Sequence, residues 1–139
     1  PGDFMHDLTV LLAESVHGGR PGARKVIVGH SLGSVVGYGA TWDIQTDCLV
    51  TMGSPFTWFS IRYANGGEMN PNLREFHNFW TPRDRISTVI SKNPKFKCVK
   101  DYQVPNWNPL NWTRLGAHGI YWGSDYVHRK IADVLQKQG

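Results

Sequence analysis

Apolar positions change their period several times along the 139-residue chain, and each change marks an expected element. Phe4, Leu8, Leu11, Leu12 and Val16 recur at helical spacing behind Asp3, a suitable N-cap, and Gly18-Gly19 ends that stripe. Val26, Ile27 and Val28 then follow without a polar break. A short β-branched run of this kind predicts a strand buried on both faces of a parallel sheet. Helical spacing resumes from Leu32 to Trp42, where Gly33, Gly37 and Ala40 fall on one face. Glycine weakens a helix by about 1 kcal/mol against alanine, so glycines here imply a helix lying close against the sheet.

Two further strands are predicted over Asp47 to Met52 and Glu75 to Trp80, and a fourth near the sheet edge over Phe96 to Val104. The segment from Phe56 to Asn72 loses periodicity while keeping Phe56, Trp58, Phe59 and Tyr63, so it reads as a long loop that covers something. A second loop, rich in Pro, Asn and Trp, runs from Pro105 to Thr113. Val127, Ile131, Val134 and Leu135 restore helical spacing in a closing helix. Strands alternating with helices define an α/β class with a mostly parallel sheet flanked by helices, in a single domain spanning 1–139.

Composition narrows the function classes. The chain is 40% hydrophobic, enough for a packed core, yet no apolar run is long enough to cross a bilayer. A formal charge of +4 is spread over many separate positions and reads as solvated surface, which argues against nucleic-acid binding. The six histidines form no H-E-x-x-H motif and no Cys/His cluster, so no metal and no cofactor are expected. Cys48 and Cys98 both fall in predicted strands as lone thiols, a weak pointer to a reducing, cytoplasmic compartment.

The densest chemistry lies where the first strand ends, in Gly29-His30-Ser31-Leu32-Gly33. A serine at a sharp strand-to-helix bend has a strained backbone, and glycines two residues before and after it relieve a collision. The bend lifts the Ser31 hydroxyl beyond the carboxyl end of the sheet, beside the first free N–H groups of the next helix. This G-x-S-x-G elbow resembles that of the α/β-hydrolases, in the form common among lipases and serine esterases. The Gly53-Ser54-Pro55 ending of the second strand is similar to theirs as well.

That resemblance implies a serine hydrolase cleaving a carboxylic ester, small or lipid-like, through an acyl-enzyme. In that family the triad runs Ser, acid, His along the chain, and Ser31, Asp84 and His118 occur in this order. Asp84 stands in a turn after the third strand and is preferred to Asp101, which lies within the fourth. The lesser competing role for Asp84 is merely to cap the short turn of helix expected over Arg85 to Ile90. Leu32 N–H would donate to the oxyanion, and Phe56, Trp58 and Phe59 would contact substrate. The elbow arrives early, so the resemblance covers only the second half of the hydrolase fold and leaves out its N-terminal strands. It implies an N-terminal segment or second polypeptide that completes the sheet and supplies the other oxyanion donor, whose loss costs about 3 to 4 kcal/mol in the transition state. A different class stays open: a non-catalytic binding or structural component that retains the hydrolase fold. A carbohydrate- or nucleic-acid-binding surface built from the aromatics is a weaker third reading.

Overall fold

The computed structural model describes residues 20–63, 69–105 and 114–136, with the backbone only at 60–63, 114 and 115. The N-terminal apolar stripe and the loop from 106 to 113 lie outside the described residues. The architecture is α/β. Strands β1 (Val26–His30), β2 (Thr46–Met52), β3 (Leu73–Trp80) and β4 (Lys100–Gln103) form one parallel sheet in the order β1-β2-β3-β4. The helices are α1 (Leu32–Ala40), α2 (Phe56–Tyr63), a short α3 (Arg114–Gly119) and α4 (Asp125–Gln136). A 3₁₀ turn over Ile120–Gly123 joins the last two.

Alternation along the strands divides the core into two layers. Ile27, Leu49 and Phe76 face α1 and α2, where Tyr38, Ala40 and Phe56 join them. Cys48, Val50, Met52 and Phe79 face the other way, against Tyr121, Val127 and Val134. Arg24 ties the sheet to α4, its Nη1 donating to the carbonyls of Val134 at 3.2 Å and Leu135 at 3.0 Å. A cation on the last turn of a helix satisfies carbonyls that have no intrahelical partner.

Several sequence expectations need correction. Val28 is 45% exposed rather than buried on both faces, because among the described residues β1 pairs with β2 alone and the second core layer reaches Val26 but not Val28. The expected loop after Pro55 begins as helix α2. Ser54 Oγ accepts the Phe56 N–H at 3.1 Å and Pro55 carbonyl accepts the Trp58 N–H at 2.9 Å, which starts the turn. The fourth strand shrinks to Lys100–Gln103, since Asn93 Oδ1 accepts the Lys95 N–H and Pro94 opens a 3₁₀ turn. Cys98 therefore sits outside the strand and is exposed, while Cys48 is buried in β2 as expected. In α4, Val127 and Val134 are buried but Leu135 is 43% exposed. No described helix is long and apolar enough to cross a membrane.

Candidate active site

The strand ends are staggered into a common rim. Ser31 N–H continues the β1–β2 ladder by donating to Met52 carbonyl at 2.9 Å, Gly53 N–H donates to Phe79 carbonyl at 3.1 Å, and Val104 N–H donates to Trp80 carbonyl at 2.8 Å. The candidate groups gather on this rim.

Ser31 has φ 55° and ψ −129°, and it is the only non-glycine residue with positive φ among those described. That conformation costs about 1–3 kcal/mol and persists only where its surroundings enforce it. The enforcement is visible. A Cβ on Gly29 would lie 2.6 Å from Ser34 Cα and 2.7 Å from Gly33 carbonyl, so the strand must pass bare under the first turn of α1. Gly33, expected to be equally constrained, has open space where a side chain would start, among the described residues. Ser34 closes the bend from inside, its hydroxyl bonded to Ser31 carbonyl and to Ser54 Oγ. Leu32 N–H is the first of α1, so helix geometry leaves it without an intrahelical acceptor.

Asp84 is 2% exposed in the turn after β3, and each of its oxygens is occupied. Oδ1 accepts Ile86 N–H at 3.0 Å, which is the capping role the sequence allowed. Oδ2 accepts from His118 Nδ1 at 2.8 Å and from Tyr121 Oη at 2.9 Å. The carboxylate therefore caps its turn and orients an imidazole at once. Tyr121, fully buried, is a partner the sequence reading missed. Burial pushes its phenol pKa well up, so it stays a donor toward Asp84.

His118 lies on the short helix α3. Its side chain is 17% exposed, against 1% for Asp84. With Nδ1 committed to Asp84, Nε2 is the nitrogen left for chemistry. Two contacts set His118 beside the neighbours of Ser31, although no hydrogen bond joins its Nε2 to Ser31 Oγ among the described residues. His30, the neighbour of Ser31, joins His118 carbonyl through Nε2 at 2.8 Å, and the two rings lie 4.7 Å apart. Gly53, whose preceding carbonyl receives the Ser31 N–H, lies directly under the pair: a Cβ there would meet Tyr121 Cε2 at 2.8 Å, Asp84 Oδ2 at 3.1 Å and His118 Cε1 at 3.2 Å. Its φ of +58° is a second reason for glycine.

The expected substrate contacts divide. Phe56 is 1% exposed and fills the core among Tyr38, Phe76 and Phe96, with rings 4.8 to 5.6 Å apart, so it is a packing residue and not a pocket wall. Trp58 is 70% exposed, and Phe59 is half-buried. Leu32, Ile86 and Trp122 are also exposed, and each lies close in the chain to a rim residue. Asp101 is structural: its carboxylate accepts from Asn78 Nδ2 and from the N–H groups of Ile90 and Ser91.

A second polar cluster lies inside the sheet. His77 Nε2 bonds Glu75 Oε2 at 2.8 Å, His77 Nδ1 bonds Tyr102 Oη at 3.0 Å, and Cys48 stands beside them. Sequence reading found no Cys/His cluster because these residues are distant in the chain. Parallel register, with Cys48 opposite Glu75 and Val50 opposite His77, brings them together. Comparison with protein-family models, with curated proteins and with solved structures finds no match for this chain.

Proposed function

We propose that the protein is a serine hydrolase of carboxylic esters, built as the carboxyl-terminal part of an α/β-hydrolase fold. Ser31 attacks the acyl carbonyl while His118 Nε2 takes its proton and later returns it to the leaving alcohol. Asp84 holds the imidazole tautomer and offsets its positive charge in the acyl-transfer step. Leu32 N–H donates to the oxyanion. The exposed Leu32, Trp58, Ile86 and Trp122 favour an apolar acyl chain or a lipid-like ester.

The observation that carries this reading is the buried Asp84 carboxylate 2.8 Å from His118 Nδ1, on the same rim as a serine held at φ 55°. Because β1 has an open edge among the described residues, a further strand, from an N-terminal segment or a second polypeptide, is proposed to cover it and to carry the second oxyanion donor.

A fluorophosphonate probe tests the reading. It is expected to attach to Ser31 in the wild type once the sheet is complete, and to fail with Ser31→Ala and with His118→Ala. The chain alone is expected to label weakly or not at all, so the deciding result is the chain together with the N-terminal segment or second polypeptide that completes the sheet: a folded assembly that stays unlabelled at Ser31 would overturn the enzyme reading in favour of a non-catalytic binding component.

A further inference from the structure

The geometry points to a Zn²⁺-type metal site at Cys48, Glu75 and His77, separate from the rim and independent of any esterase activity. One ligand atom from each of these residues lies within 4.8 Å of the other two. Zinc holds thiolate sulfur at about 2.3 Å and imidazole nitrogen or carboxylate oxygen at about 2.0 to 2.2 Å. Tetrahedral ligands at those lengths stand roughly 3.3 to 3.8 Å apart. The 2.8 Å His77–Glu75 contact must open by about half an ångström, and the widest separation must close by about one; both are side-chain adjustments.

The donor set suits the ion. A thiolate, a carboxylate and an imidazole leave no net charge around a divalent cation, which is what a buried site requires. Cys48 and His77 are buried, at 0% and 2% exposure, so little solvent competes for the ion. The surroundings also supply the outer partner that metal-binding histidines use. With its proton on Nδ1, His77 donates to Tyr102 Oη at 3.0 Å, and Nε2 presents a lone pair beside Glu75. Binding therefore moves the imidazole proton from Nε2 to Nδ1 and releases the Cys48 thiol proton to solvent. Burial holds that thiol at about 11, so proton release opposes metal uptake, while the nearby Arg24 and Lys100 favour the thiolate.

A cavity of about 280 Å³ whose walls include Glu75, His77, Lys100, Tyr102, Lys130 and Asp133 reaches two of the three ligands, while Cys48 is not among its walls. Three protein ligands and an approach from solvent leave one position for water or an exogenous anion, a pattern of reactive rather than purely structural zinc sites. Lys100 and Lys130 repel a bare cation but suit an anionic fourth ligand.

Cobalt substitution reads the site without any enzyme assay. Chelator-treated full-length chain titrated with Co²⁺ is expected to gain thiolate-to-cobalt charge-transfer absorption that saturates at one equivalent and is displaced by Zn²⁺. Cys48→Ala should abolish the band and Cys98→Ser should keep it. Tyr102→Phe should weaken binding roughly tenfold. Glu75→Gln, at the more exposed ligand, should weaken it with the fold intact and serves if Cys48→Ala does not fold. The assignment fails if the wild type shows no saturable band, or if the band survives Cys48→Ala or Glu75→Gln undiminished.

Discussion

Two histidine–carboxylate pairs in this molecule have the same 2.8 Å hydrogen bond and opposite surroundings. At the rim the carboxylate is sealed, with the Asp84 side chain 1% exposed, and the imidazole reaches toward the opening at 17%. Inside the sheet the imidazole is sealed at 3% and the Glu75 carboxylate is the more open group at 24%. The difference decides what each pair can do. A buried carboxylate with a second donor, Tyr121, holds its imidazole in place, so His118 is oriented through Nδ1 and its Nε2 is the nitrogen not bound by Asp84. His77 has both nitrogens engaged, by Glu75 and Tyr102, and burial pulls its pKa down despite the carboxylate beside it. It is a neutral, fixed ligand type of group rather than a proton carrier.

Removing the acting groups gives the sharpest division between the pairs. On an activated ester, Ser31→Ala and His118→Ala are each expected to lower turnover on the order of 10⁶-fold, whereas His77→Gln should change it less than about tenfold. Equal losses at His118 and His77 would erase the distinction. Next in size is the orienting carboxylate. Asp84→Asn keeps the shape but reverses the hydrogen bond to Nδ1, so His118 adopts the wrong tautomer and turnover should fall about 10⁴-fold. Glu75→Gln, the matching change in the other pair, should leave turnover nearly intact.

Much of the rim was legible from sequence because it depends on local geometry. A strand of β-branched residues, a bend that needs glycine at 29 and a positive φ at Ser31 are all properties of a few consecutive positions. Asp84 and His118 came from chain order within the resembled family, and a 2.8 Å hydrogen bond joins the two side chains. Three kinds of feature escaped. Tyr121 lies three residues beyond His118 and gives no local sign that a 3₁₀ turn will aim its hydroxyl at Asp84. Phe56 carried the same aromatic signal as Trp58, and only packing separates a core ring from an exposed one. The Cys48, Glu75 and His77 cluster depends on the β2–β3 register, which no spacing within either strand encodes.

Gly53 offers an intermediate effect confined to one pair. It touches the Asp84–His118 pair and Tyr121, and its φ is +58°. Gly53→Ala combines backbone strain with a 2.8 Å approach to a buried ring, so stability should fall by about 2–3 kcal/mol by urea unfolding. Surviving folded protein should have reduced turnover from a displaced His118, yet unchanged Co²⁺ binding at the inner cluster. A variant as stable and active as wild type would mean that the ring and the pair move aside freely.

The smallest effect comes from proton linkage at the inner pair. Burial is the largest influence on His77 and lowers its pKa, with Lys100 and Arg24 adding to that and Glu75 opposing it. An unfolded histidine takes up its proton near pH 6.5. The stability owed to a neutral His77 is therefore complete above about pH 6.5 and declines as the pH falls through that value, until the lowered folded pKa is reached. Glu75 is also lowered, chiefly by its hydrogen bond from His77, and its contribution is lost only in stronger acid, below its unfolded value of about 4.3. Between about pH 5 and 7, then, His77 is the member of this pair whose linkage is felt, with a slope no steeper than about 1.4 kcal/mol per pH unit. His77→Gln should flatten the wild-type curve of unfolding free energy against pH in that window. An unaltered slope would show that His77 takes up its proton as readily in the folded sheet as in the unfolded chain, and the contrast between the two pairs would narrow to their exposure alone.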